Sequence, residues 1–162
     1  MLIHTGIITV SDRAAKGLYD DLGGPALKQA AEGYGWSVQS EALVPDEKRD
    51  IQRAIREQIA KGCELILTTG GTGVSPRDVT PDATVGVLER VIPGFGEVMR
   101  RKSLEKTPNA MISRAIAGIR GRCLIINLPG SPKGAVENLV AVWPAVPHTV
   151  AKIQGDQEEC AR

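Results

Sequence analysis

Strand-length apolar runs that alternate with amphipathic helical stretches predict an α/β chain. The expected architecture is three α/β/α layers, a mostly parallel sheet with helices on both faces. Apolar runs recur at residues 3–10, 37–43, 64–68 and 123–128. Between them, apolar positions fall at i, i+3, i+4, i+7 spacing. Leu27, Ala30, Ala31 and Tyr34 make one such stripe. Ile51, Ala54, Ile55, Gln58 and Ile59 make a second, and Val136, Leu139, Val140 and Trp143 a third. A further segment, 115–120, reaches the run at 123–128 through only Gly121-Arg122. So short a link predicts a hairpin, and therefore one antiparallel strand.

In chain order, the first strand ends in Ser11-Asp12-Arg13 and the second in Pro45-Asp46-Glu47. The third runs into Thr69-Gly70-Gly71-Thr72-Gly73, followed by Arg77-Asp78 and Thr80-Pro81-Asp82. Thr80 before Pro81 reads as an N-cap with proline at the first helical position. Pro93-Gly94-Phe95-Gly96-Glu97 reads as a break in that helix, with a new helix over 97–106. The last strand ends in Asn127-Leu128-Pro129-Gly130-Ser131-Pro132-Lys133-Gly134. Residues 1–154 are expected to form a single domain, and 155–162 a polar, frayed tail.

The chain has 162 residues, enough for one sizeable core. Its formal net charge of +1 does not point to nucleic acid or membrane surfaces as partners. Aromatics make up 3 % of the residues, too few for stacking platforms that bind single strands. Cys63, Cys123 and Cys160 lack zinc-ligand spacing, and such scattered cysteines suit a reducing, cytoplasmic setting. No secretory leader or membrane-length apolar stretch is expected.

The glycine loop carries most of the functional signal. Glycines allow positive φ and close backbone approach. Their amides and the neighbouring threonine hydroxyls can ring an anion. A strand, a glycine loop and a helix start suggest a nucleotide or phosphate cradle. A carboxylate beside the loop can hold a divalent metal. In an open parallel sheet, ligands bind beyond the carboxyl ends of the strands. All four strand ends supply polar loops there, which predicts one composite site.

Each candidate also has a plainer reading. Thr80 reads as a cap alone. Ser131 reads equally as a cap and as a ligand contact. Asp46 by itself reads as a cap for the following helix, and Ser11 and Asp12 as turn residues. Asp78 caps nothing visible in the sequence, which makes it the stronger candidate. Lys133 would ordinarily be a solvated lysine, but at a helix start beside glycine it suits a phosphate.

What the chain lacks narrows the chemistry. There is no Walker A run, and Pro76 stands where a dinucleotide fingerprint needs its third glycine. His4 and His148 lie outside these loops, and no serine elbow exists. Glycine amides, lysine, arginine and carboxylates suit phosphoryl or nucleotidyl transfer, where the protein positions reactants and offsets charge.

These motifs, taken in order from about residue 7 to 150, resemble the molybdopterin adenylyltransferase family, the MoaB/Mog-like domain of molybdenum cofactor biosynthesis. The motifs that carry the resemblance are Ser11-Asp12-Arg13, Pro45-Asp46-Glu47, residues 68–73, residues 77–84, residues 93–97 and residues 128–133. The resemblance implies a three-layer α/β/α fold and a homo-oligomer, commonly a trimer. It implies Mg-ATP-dependent adenylylation of molybdopterin with release of pyrophosphate, and delivery of the product to a molybdenum insertase. It places Asp46 and Asp78 as catalytic, Mg²⁺-holding residues, and Thr69, Gly70, Gly71, Thr72 and Gly73 at the nucleotide. Ser11, Asp12, Arg13, Ser131 and Lys133 match the pterin and phosphate region. A non-catalytic cofactor carrier on the same fold is the alternative.

Overall fold

Side chains that are buried throughout the central strands and alternate in direction feed two cores, one on each face of the sheet. The computed structural model describes residues 1–160. The strands are β1 (His4–Val10), β2 (Ser37–Val44), β3 (Leu65–Thr69), β4 (Arg90–Val91), β5 (Ala117–Arg120) and β6 (Cys123–Leu128). They form one six-stranded sheet in the order β2-β1-β3-β6-β5-β4. β1, β2, β3 and β6 are parallel, and β5 pairs antiparallel with both β6 and β4. The expected hairpin is therefore β5–β6. The two-residue β4 escaped the sequence because it is too short to show periodicity.

The helices are α1 (Asp12–Ala15), α2 (Gly23–Gly33), α3 (Lys48–Ala60), α4 (Thr80–Val85), α5 (Pro93–Leu104), α6 (Pro132–Val142) and α7 (Val146–Ile153). Leu65 and Leu67 of β3 and Leu124 and Ile126 of β6 face α2, α5, α6 and α7. Ile66 and Ile125, one position out of phase, face α3 and α4. Such a period of two with both sides apolar is what a sheet covered on both faces requires. Each fully buried Leu or Ile stabilises the fold by roughly 1.5–3 kcal/mol. Cys63 and Cys123 pack in the second core as small apolar groups, and burial pushes both thiols up.

Several local expectations change. Pro93 opens α5 instead of ending α4, because proline at the first helical position gives up an amide that has no intrahelical partner. On α6 the buried stripe is Ala135, Asn138, Leu139 and Val142, one residue out of phase with the expected one, and Val140 is exposed. Both registers satisfy the same helical spacing, and packing against α2 and α5 selects between them. Gln58, read as part of an apolar stripe, is buried. Its Nε2 donates to the Ile7 carbonyl at 3.0 Å. It enters beside Gly6, where the β1–β2 register slips by one residue. The last two positions of the expected tail, 161 and 162, lie outside the described residues.

Candidate active site

The carboxyl ends of β1, β2, β3 and β6 lie on one edge, and hydrogen bonds sew their loops together. The Ser11 amide donates to the Val44 carbonyl at 2.9 Å, and the Gly70 amide to the Leu128 carbonyl at 3.1 Å. The Thr69 hydroxyl donates to the Pro129 carbonyl at 2.7 Å. Asp21 holds the start of α2 against β1: one carboxylate oxygen accepts from the Gly24 amide, the other from the Thr9 hydroxyl.

The glycine loop takes the left-handed backbone that glycine permits at two of its three glycines. Gly70 (φ 102°) and Gly71 (φ 68°) are left-handed, whereas Gly73 is not among the glycines with positive φ. A methyl group at Gly70 would strike the Val10 carbonyl, and one at Gly71 would strike the Thr80 hydroxyl and approach Asp46 Oδ1. These glycines are therefore demanded by the protein's own packing, where the sequence suggested ligand approach. Thr80 is not an N-cap: Val79 holds that position. Instead the buried Thr80 hydroxyl donates to the Gly70 carbonyl at 2.8 Å and pins the loop.

Two clefts open on either side of this loop. One, of about 370 Å³, is lined by Ser11, Gly70, Gly71, Ser131 and four carboxylates, Asp20, Asp21, Asp46 and Asp78, with no cationic side chain among the described residues. The other, of about 440 Å³, is lined by Thr72, Gly73, Ser131 and the cations Arg100, Lys106 and Lys133, against Glu137 as the single carboxylate among the described residues. Ser131 lines both. Its hydroxyl also accepts from the Gly134 amide at 3.0 Å, so it is a cap and a cleft residue at once. Lys106 pairs with Glu137 at 2.6 Å and holds that carboxyl below its ordinary range.

Asp46 does not cap α3, whose N-cap is Glu47. Its Oδ2 accepts from the Asp12 amide at 2.9 Å. Burial pushes its carboxyl up from the ordinary range, and the nearby charges of Asp12 and Asp78 push in the same direction. Asp78 does have a partner that the sequence did not reveal: its Oδ2 accepts from the Ser75 amide at 2.9 Å. Among the described residues, no group of three or more His, Cys, Asp or Glu side chains could hold a metal ion. Two half-buried carboxylates that repel each other at one cleft do fit Mg²⁺. That ion binds through one or two carboxylates and keeps water and phosphate oxygens for its other positions.

The structure brings Ser11, Asp46, Thr69, Gly70, Gly71, Asp78 and Ser131 to the acidic cleft, and Thr72, Gly73, Ser131 and Lys133 to the basic one. It leaves two expected site residues outside both linings. Asp12 is turned onto Asp46 and Arg77. Arg13 sits over the Tyr19 ring, 5.1 Å from its centroid. Sequence reasoning missed Arg114. Its guanidinium donates to the Gly73 carbonyl at 2.8 Å, the Asp78 carbonyl at 2.6 Å and the Asp82 carboxylate at 3.0 Å, buckling the glycine loop to α4. A lone arginine in a loop carries no spacing signal. Asp21 was also missed, although an aspartate before Gly23-Gly24-Pro25 is a recognisable helix-start pattern.

Residues 6–148 match the family described as "probable molybdopterin binding domain". The chain belongs to this family. Within it, the chain is 45 % identical over 157 residues to a molybdopterin adenylyltransferase of Helicobacter pylori, covering 95 % of this chain and 89 % of that one. It is 39 % identical to the molybdopterin adenylyltransferase of Escherichia coli K12, over 98 % of this chain and 89 % of that one. The crystal structure of the molybdopterin biosynthesis enzyme MoaB from Thermus thermophilus superposes with a TM-score of 0.90 at 46 % identity, covering 96 % of this chain and 98 % of that one. The six-stranded sheet with helices on both faces is the three-layer α/β/α fold of this family.

Proposed function

We propose that this chain acts in molybdenum cofactor biosynthesis as a molybdopterin adenylyltransferase, moving AMP from Mg-ATP to molybdopterin. The carrying observation is the pair of oppositely charged clefts that meet at Ser131 across the glycine loop. A reaction between two anions needs both held side by side with their charges offset separately. The acidic cleft suits a metal-bound nucleotide, and the basic cleft suits the phosphate of molybdopterin. Relatives named for this transfer match nearly the whole chain.

In this reading a terminal phosphate oxygen of molybdopterin attacks the α-phosphorus of ATP. The bond from that phosphorus to the bridging oxygen breaks, and pyrophosphate leaves. A phosphate monoester with a second pKa near ~6 is already anionic at neutral pH, so no histidine base is required. Lys106, Lys133 and Arg100 orient the pterin phosphate, and the Gly70–Gly73 segment positions the triphosphate. Asp46 and Asp78 would hold Mg²⁺, which when bound offsets charge on the phosphates and on the departing pyrophosphate. The same proposal takes 1–154 as one domain, places the protein in the cytoplasm as a homo-oligomer, with a trimer favoured, and gives it a molybdenum insertase as recipient of the product. No helix among the described residues is long and apolar enough to cross a membrane.

The test is pyrophosphate release from purified protein with ATP, Mg²⁺ and molybdopterin, with Asp46→Ala as the comparison. Release by the wild type, its loss in Asp46→Ala and retained molybdopterin binding in that variant are expected. Wild-type protein that binds molybdopterin but releases no pyrophosphate at any Mg²⁺ concentration would make the non-catalytic carrier the better reading.

A further inference from the structure

Arg77 leaves the loop after the glycine turn and reaches back over the strand ends. Its Nε donates to Asp12 Oδ2 at 2.9 Å and its Nη2 to Asp12 Oδ1 at 3.0 Å, a two-pronged contact. The same Nη2 lies 2.8 Å from Glu47 Oε1. Asp12 passes this restraint on to Asp46 through a reciprocal pair of bonds. The Asp12 amide donates to Asp46 Oδ2 at 2.9 Å, and the Asp46 amide donates to Asp12 Oδ1 at 3.0 Å. With Oδ2 anchored, Asp46 Oδ1 is left beside Gly71 at the acidic cleft.

We infer that Arg77 and Asp12 are positioning residues for the metal-and-nucleotide site: Arg77 orients and neutralises Asp12, Asp12 orients Asp46, and the clasp fixes the chain immediately before Asp78. This inference rests on the proposed adenylyl transfer. The plainer alternative is an exposed ion pair of little consequence, since the Arg77 side chain is 55 % exposed. Two features separate the clasp from such a pair. It joins the ends of β1 and β2 to the glycine-loop extension through one guanidinium. And without the guanidinium, Asp12 would stand as an uncompensated carboxylate against Asp46, turning Asp46 by repulsion. A fork geometry specifies the orientation of a carboxylate in a way that a point charge does not.

The test uses the full chain with Arg77→Gln, Arg77→Lys and Asp12→Asn, and Lys28→Gln as a control that breaks a remote surface pair with Glu41. Mn²⁺ binding is read by electron paramagnetic resonance with α,β-methylene-ATP, whose α–β linkage cannot be cleaved. Pyrophosphate release is then measured against Mg²⁺ concentration. Arg77→Gln and Asp12→Asn are expected to weaken Mn²⁺ binding about 10-fold or more and to move the Mg²⁺ midpoint by a similar factor, as removal of a group orienting a metal ligand does. Arg77→Lys should recover only part of this, and Lys28→Gln should match the wild type. Molybdopterin binding and unfolding midpoints should change little. Normal release by the wild type, with Mn²⁺ affinity of both Arg77→Gln and Asp12→Asn within twofold of it, overturns the clasp while leaving adenylyl transfer intact. A lowered unfolding midpoint in Arg77→Gln and Asp12→Asn, without a selective loss of Mn²⁺ affinity, shows a merely structural pair and also overturns it. Wild-type protein with neither Mn²⁺–nucleotide binding nor release removes the proposed reaction itself, and the inference with it.

Discussion

Neutralising Asp78 separates its proposed catalytic part from its structural one. Asp78→Asn keeps the side-chain shape and keeps an oxygen to accept the Ser75 amide, now at 2.9 Å. What it removes is one negative charge at the acidic cleft. If that charge holds Mg²⁺ on the triphosphate, its loss should lower the rate of pyrophosphate release by about 100-fold, or ~2.7 kcal/mol of transition-state stabilisation. The effect on folding should be small and opposite in sign. Asp78's charge helps to push the Asp46 carboxyl up, so the two groups repel in the folded protein. Removing the repulsion should leave the unfolding midpoint unchanged or slightly higher, the pattern expected of a residue kept for function at some expense to stability. The assay is release at saturating molybdopterin over a range of Mg²⁺, beside a thermal melt of the same preparation. Turnover within about threefold of wild type, where one lost charge-assisted contact predicts a larger effect, would refute the metal assignment. A midpoint lowered by several degrees would instead make Asp78 chiefly a brace for the loop.

Gly71→Ala should lower stability as well as nucleotide affinity, because φ of 68° alone costs a non-glycine residue about 1–2 kcal/mol and the new methyl meets the Thr80 hydroxyl; a denaturant midpoint equal to wild type would contradict this. Lys106→Ala should weaken molybdopterin binding by about 10-fold or more in calorimetry while α,β-methylene-ATP affinity stays within about twofold, since it removes a cation and frees Glu137 at the basic cleft. The Arg114 guanidinium beside Asp82 holds that carboxyl below its ordinary range. A depressed folded pKa adds stability that is present above the unfolded value near ~3.9 and lost as pH falls through the folded value. Unfolding midpoints should therefore drop below about pH 4, and Asp82→Asn should flatten that decline; an unchanged acid limb would argue against the buckle.

The sequence by itself determined the layers, the hairpin and the edge of the sheet to which the polar loops of the candidate site converge. Those follow from local periodicity: strands buried on both faces must read as apolar runs, and helices against them must repeat near 3.6 residues. That the glycine loop would hold a left-handed residue was legible for the same local reason, because few other residues tolerate it, but which glycines take it, Gly70 and Gly71 and not Gly73, was not. Pairings between polar groups were not legible. Asp12 meets Asp46 across 34 positions, Arg77 meets Asp12 across 65, and Arg114 meets the Asp78 carbonyl across 36. At such separations sequence spacing places no constraint on distance. Asp46 could equally have capped α3, and Thr80 could have capped α4. Tertiary structure decided otherwise by bringing the ends of β1, β2 and β3 within hydrogen-bonding reach, where each partly buried polar group takes the partner that geometry offers. It also decided what no motif expresses, that loops from one edge divide into an acidic and a basic cleft. Charge separation of that kind belongs to side chains drawn from the loop before α2, from α5 and the turn after it, from α6 and from the loops at the strand ends together, and it exists only once they are packed around the same sheet.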